Sequence, residues 1–169
     1  GGLKLWGVLF CHHGMRSFLT RLGQCKRCYP KGENFMRLYH ASTQTASEPR
    51  IVNRSPYLDF GTGFYTTTNL AQAEDFARKA FVRRGMEGAP TLNSYECDME
   101  RARRELRVLE FSEPNEEWLE FVVHNRKQGR DKALEVDIII GPVANDDVFT
   151  TVTLYEQGQI TARAALEML

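Results

Sequence analysis

The sequence predicts an α+β domain, on three observations. Short β-branched or aromatic runs recur along the chain, they alternate with stretches of helical periodicity, and no segment repeats. Arg37 to Ala41 (Arg-Leu-Tyr-His-Ala) reads as a short strand. Ser42 to Gly63 is a long polar loop punctuated by Pro49, Pro56, Gly61 and Gly63, and Phe64-Tyr65-Thr66-Thr67 is a second strand. Asn69 is placed to cap a helix from Leu70 to Arg83, which carries Leu70, Ala73, Phe76, Ala77, Ala80 and Phe81 on one face at three-and-four spacing; Gly85 to Pro90 ends it. Ser94 to Asp98 and Leu106 to Phe111 alternate as half-buried strands with a charged segment, Met99 to Glu105, between them, and the charge run Glu100 to Arg107 reads as a solvated face. Pro114 opens a helix whose apolar side is Trp118, Leu119, Phe121 and Val122. Val136 to Ile140 is an apolar strand buried on both faces and stopped by Gly141-Pro142. Asp146 or Asp147 caps the next segment, Val148 to Glu156, whose Val, Thr and Tyr residues leave helix and strand evenly matched. Gly158 closes it, and Thr161 caps a short helix from Ala162 to Leu169.

Composition narrows the function classes. With 169 residues and 42% hydrophobic content, the chain can bury a core as one domain. Its 22 basic residues balance 22 acidic ones, so it lacks the basic excess that a nucleic-acid backbone or an anionic membrane attracts. The longest apolar stretch, Leu3 to Cys11, is broken by Lys4 and falls short of the roughly 20 residues that span a bilayer. It also lacks the small-residue cleavage site of a secretory signal. Cys11, Cys25, Cys28 and Cys97 crowd toward the front of the chain and form no disulfide framework through a core, which points to a reducing, cytoplasmic compartment and no membrane.

Residues 1–35 differ from the rest. They hold six of the basic residues, no acid before Glu33, the pair His12-His13 and Cys25-x-x-Cys28. Lys31-Gly32-Glu33-Asn34-Phe35-Met36 can be encoded by a purine-rich ribosome-binding sequence, a spacer and an ATG, so the expectation is a native start at Met36, with residues 1–35 an upstream or disordered extension and residues 36–169 the domain. The rival reading joins Cys25 and Cys28 to Cys11 and His12 or His13 as zinc ligands of a small nucleic-acid module, but the spacing fits no standard finger and no metal site is expected. Without residues 1–35 the chain is mildly acidic. At the other end it stops without a C-cap Gly or a polar tail, and the expectation there is a shortened C-terminus.

Chemistry is expected in the region from His40 to Thr67, because a structureless loop of that length inside a compact domain usually lines a site. Gly61-Thr62-Gly63 lets backbone N–H groups approach a ligand and leads into Tyr65, which a strand sets on the opposite face from Phe64 and Thr66. The spacing is neither that of a P-loop nor that of the dinucleotide fingerprint.

Leu38-Tyr39-His40-Ala41-Ser42, a loop, and Gly61-Thr62-Gly63-Phe64-Tyr65-Thr66-Thr67, with Ala71 and Ala73 in the following helix, resemble the first two NAD-binding motifs of ADP-ribosyltransferases of the diphtheria-toxin and poly(ADP-ribose) polymerase type. Asp59-Phe60-Gly61, Trp118, Asn125-Arg126 and the stretch from Asp137 to Asp147 are similar to one bacterial branch of that superfamily. That branch is described as a domain of unknown function and is often found as the toxin-like partner of a small neighbouring gene. The resemblance covers about Met36 to Leu169. It implies an ADP-ribosyltransferase-like split mixed or antiparallel sheet with flanking helices, lacking its last strand, and NAD as the substrate whose ADP-ribose passes to a macromolecular acceptor. It also implies a small antitoxin protein as partner. On this resemblance His40 hydrogen-bonds the nicotinamide-side ribose or the adenosine moiety, Ser42 helps hold that sugar, Tyr65 stacks on the nicotinamide and the Gly63 backbone binds its carboxamide. Gly61, Phe64 and Thr67 complete the NAD-binding set, and Asp147, or its neighbour Asp146, stands in for the catalytic carboxylate of the missing last strand. Glu96 and Glu110 are weaker choices.

Each of these residues also has a plain structural explanation. His40 can be a satisfied histidine at a strand end, Tyr65 can be core packing, and Gly61 and Gly63 can simply make a tight turn. Asp146 and Asp147 serve equally well as helix caps, Asn125-Arg126 reads as a helix C-cap with a salt bridge or as an anchor for a pyrophosphate, and His124 lies on a surface. The functional alternative to a transferase is a catalytically degenerate domain that binds a nucleotide or a protein.

Overall fold

The computed structural model describes residues 6–10, 19–21, 35–51, 55–131, 134–143 and 146–169. Among these residues, seven strands form one mixed sheet: β1 (Trp6–Phe10), β2 (Leu19–Arg21), β3 (Phe35–Ser42), β4 (Phe64–Thr67), β5 (Thr91–Asp98), β6 (Val108–Glu110) and β7 (Ile138–Pro142). They lie in the order β2-β5-β3-β4-β1-β7-β6, and every neighbouring pair is antiparallel except β6 and β7. The helices among the described residues are α1 (Leu70–Arg83), α2 (Met99–Glu105), α3 (Glu116–Gln128), α4 (Asp146–Glu156) and α5 (Ala162–Met168), which flank the sheet. Among the described residues, no helix is long and apolar enough to cross a membrane.

Strand pleating divides the core into two layers. Ile138 and Ile140 point to one side, where they meet Val8, Phe10, Leu38, Phe64 and Tyr95 with α2 above them. Ile139 points to the other, where Trp118, Leu119 and Val122 of α3 pack with Val148 and Val152 of α4 and Ala165 of α5. This two-sided burial is why β7 is a continuous apolar run. Trp118 is fully buried and donates its indole N–H to the Pro142 carbonyl at 3.0 Å, tying α3 to the end of β7.

Several elements match the expectations and others shift for identifiable reasons. The Asn69 and Thr161 side chains cap α1 and α5 by accepting from the Gln72 and Ala164 N–H groups. The strand expected at Arg37 to Ala41 extends over Phe35–Ser42, because all eight residues pair with Thr91–Asp98. Met99–Glu105 is a helix rather than merely a solvated stretch: Asp98 caps it, Met99 and Ala102 are buried, and the charges turn outward. The strand expected at Leu106 to Phe111 contracts to Val108–Glu110. Leu106 N–H still bonds the Ala102 carbonyl, and Arg107 N–H donates to the Asp137 carboxylate at 2.9 Å. That carboxylate also binds the Arg107 side chain, which raises the Arg107 pKa and keeps its guanidinium charged. The strand expected at Val136 to Ile140 starts at Ile138 and runs through Gly141 and Pro142. Val148 to Glu156 resolves as helix. On α1 the apolar face is only partly covered, with Ala73 and Ala77 buried but Leu70 and Phe76 exposed. From the first 35 residues, Trp6–Phe10 stands in the sheet between β4 and β7, and Leu19–Arg21 pairs with β5. Cys11, His12, His13, Cys25 and Cys28 lie outside the described residues.

Candidate functional site

The ladder between β3 and β4 consists of Tyr39 opposite Thr67. His40, one residue further along β3, bridges the two strands by a side chain instead: its Nδ1 donates to the Tyr65 carbonyl at 2.8 Å. A carbonyl can only accept, so the proton is on Nδ1, and in the neutral ring Nε2 is the acceptor nitrogen. Phe64 stacks against the imidazole at 4.3 Å between centroids and holds its plane.

The described parts of the long loop, residues 43–51 and 55–63, are each anchored by side chains of the surrounding elements, which satisfy loop backbone groups that no ladder pairs. At its start the Asn93 side chain accepts from Ala46 N–H at 2.8 Å and donates to the Gln44 carbonyl at 3.2 Å, while the Tyr95 hydroxyl donates to the Ala46 carbonyl at 2.7 Å. At its end Arg126 Nε meets Asp59 Oδ1 at 2.7 Å, Asn125 donates to the Asp59 carbonyl at 2.9 Å, and Arg130 donates to the Phe60 carbonyl at 3.1 Å. The Tyr65 hydroxyl donates to the Gly61 carbonyl at 2.7 Å and accepts from Phe60 N–H at 3.2 Å. Gly61 has φ of 75°, and a Cβ there would lie 2.8 Å from the Arg130 Cβ, so both backbone sign and space require glycine.

A cavity of about 800 Å³ opens beside this junction, within the range of small-molecule sites. Tyr39, His40 and Ala41 of β3 and Tyr65, Thr66 and Thr67 of β4 form one wall, and Gln72, Phe76 and Arg83 of α1 another. Asp59 and Arg126 also line it, with Phe149, Thr153 and Glu156 of α4. Tyr57, Leu58, Phe76 and Phe149 are exposed and give the mouth an apolar rim. The cavity therefore gathers His40, Tyr65 and Thr67. Ser42, Gly61, Gly63 and Phe64 are not among its lining residues: Ser42 Oγ accepts from Gln44 N–H, while Gly61 and Phe64 support the Tyr65 hydroxyl and the His40 ring from outside. Asp146 and Asp147 open α4, the helix that carries Phe149, Thr153 and Glu156 to the cavity; their side chains lie outside the described residues. Glu96 and Glu110 pair with Arg37 and Arg103 away from it. His124 is exposed on α3.

Sequence reasoning missed Gln72 and Glu156, and it placed Asn125-Arg126 at the helix C-cap. The cap is Gly129, whose N–H reaches the Asn125 carbonyl at 2.8 Å, and both side chains turn to the loop. The Arg126 side chain is only 9% exposed and lies over the Phe149 ring at 4.5 Å. Its Nη1 and the Nε2 of Gln72 are buried without a hydrogen-bond partner. Leaving such a donor unmatched costs about 1–3 kcal/mol, more when it is charged. The Asx-cap spacing around Asn69 was the one signal near Gln72, and it specified a helix start rather than a ligand. Among the described residues, no group of three or more His, Cys, Asp or Glu side chains is arranged to hold a metal ion.

These features define an α+β domain with one mixed sheet and a cleft where β3 and β4 part. The chain belongs to the family described as protein of unknown function DUF3990, whose model matches residues 36–169. No curated protein and no solved structure matches the chain.

Proposed function

We propose that the cleft binds NAD and that the domain transfers ADP-ribose from it to a macromolecule, as an intracellular bacterial toxin held in check by a small antitoxin protein. The observation that carries this reading is the His40–Tyr65 junction: two residues from separate motifs are joined by a hydrogen bond on the wall of a cavity of about 800 Å³. In this reading the imidazole, fixed by the Tyr65 carbonyl and the Phe64 ring, hydrogen-bonds a ribose, and the Tyr65 ring faces the cationic pyridinium, which an aromatic face attracts. The glycosidic bond from ribose C1′ to the pyridinium nitrogen breaks with its electron pair going to nitrogen, releasing neutral nicotinamide. An acceptor oxygen or nitrogen then bonds C1′ and gives its proton to a base. A carboxylate stabilises the oxocarbenium-like charge as it develops. Asp147 is the residue assigned to that role, on α4, and Glu156 of the same helix lines the cavity.

Nicotinamide release from NAD tests the reading. Release is expected from the full chain and should fall about 100-fold in His40→Ala and Tyr65→Ala. Equal release from all three proteins, or none from any, refutes it; NAD bound without release favours the non-catalytic nucleotide-binding alternative.

A further inference from the structure

We propose that Arg126 and Gln72 form a donor pair for the phosphate oxygens of a nucleotide. The proposal rests on reading the cavity as a nucleotide cleft and assigns the groups that hold the ligand's anionic part. Arg126 is nine-tenths buried, its Nε is engaged by Asp59 at 2.7 Å, and its plane covers Phe149, so that two of its contacts fix the guanidinium while Nη1 stays without an acceptor. Gln72 is oriented by a directional chain. Asn69 N–H donates to Thr67 Oγ1 at 3.1 Å, and Thr67 Oγ1 donates its single proton to Gln72 Oε1 at 2.7 Å. The amide carbonyl is thereby held toward Thr67, and Nε2 is left as a buried donor with no acceptor.

Both side chains line the same cavity, from α3 and from α1. A ligand that satisfies them must present several acceptor oxygens and no donors at those points, which describes a phosphate or pyrophosphate better than a hydroxyl or an amide. Asp59 already offsets the charge of Arg126, so recognition depends on N–H direction as much as on charge. Arg83, in the last turn of α1, adds a second cation to the lining, and Glu156 of α4 adds a carboxylate.

Calorimetric titration of the full chain with ADP, adenosine and inorganic pyrophosphate tests the pair. ADP is expected to bind at least about tenfold more tightly than adenosine. Gln72→Glu keeps an oxygen for Thr67 but replaces the donor by a charged acceptor, and Arg126→Lys keeps the charge facing Asp59 but loses the planar fork. Each should abolish the preference for ADP and leave adenosine binding unchanged, with melting temperature as the check on folding. If Arg126→Lys does not fold, Gln72→Glu decides alone. The proposal is overturned if wild type binds ADP no better than adenosine, if it binds neither, if both folded variants bind ADP like wild type, or if pyrophosphate alone binds as tightly as ADP. Binding of ADP through this pair without nicotinamide release from NAD sustains it while removing the ADP-ribose reading; release from NAD with ADP binding unchanged in both variants does the reverse.

Discussion

Truncating Asp59 to alanine removes the carboxylate that fixes the end of the long loop to α3. The pair is 2.7 Å apart, and the two side chains are 15% and 9% exposed. At charge centres about 4 Å apart, an effective dielectric near 20 gives roughly 4 kcal/mol of attraction. Removing one partner of a buried pair costs about 3–5 kcal/mol, because the remaining charge is left uncompensated. Here the guanidinium keeps the Phe149 ring and borders a cavity that water can enter, so the lower end applies, about 3 kcal/mol. In a domain of this size that lowers Tm by about 6–12 °C. Urea unfolding followed by circular dichroism measures the change, with an unchanged m-value as the check that the unfolded state is the same. The double variant Asp59→Ala/Arg126→Met should be more stable than the sum of its single effects predicts, since neither charge is then stranded. A loss below about 0.5 kcal/mol in Asp59→Ala, or strict additivity in the double variant, refutes the argument that this ion pair holds the loop.

Gly61→Ala should cost about 2–3 kcal/mol in urea unfolding, combining left-handed backbone strain with a contact of 2.8 Å on Arg130, whereas Gly85→Ala, with φ of 67° and nothing within 4 Å, should cost only about 1 kcal/mol. Equal losses would remove the steric part of the argument. Burial pushes the Cys97 thiol up to about 12 from an ordinary 9.0, with Asp98 adding to the effect. The unfolded thiol therefore ionises first, so the stabilisation is complete below pH 9 and declines as pH rises toward 12, by up to about 1.4 kcal/mol per pH unit. Unfolding free energies of wild type and Cys97→Ala across that range should converge as pH rises; parallel curves would show that the folded state does not hold the proton.

How much of this could be read from the chain depends on whether the signal is local. The α1 and α5 caps were legible because Asn69 and Thr161 bond groups three residues away. The two-faced burial of Ile138–Ile140 was legible from its unbroken apolar run. The helix at Met99–Glu105 was hidden because its buried side is only Met99 and Ala102, too narrow a stripe to show through seven mostly charged residues. In the cleft, His40 and Tyr65 stood out through their motifs, but the partnership of Arg126 with Asp59 spans 67 residues and has no periodicity. Gln72 is ordinary in a first helical turn, and only the direction of the Thr67 hydroxyl makes its amide distinctive.

The position of Trp6–Phe10 has a consequence for the order of events during synthesis. This strand joins the two halves of the sheet, with β4 on one edge and β7 on the other, and buries Val8 and Phe10. It emerges from the ribosome before either partner, and β7 emerges only after α3 is complete. The central pairing is therefore also the one of longest sequence separation, whose loop-closure entropy is met last. Until then β1, already able to pair with β4, keeps its other edge unpaired, a template for pairing with another chain. The stage most exposed to intermolecular association is thus the interval between translation of β4 and closure of β1 against β7.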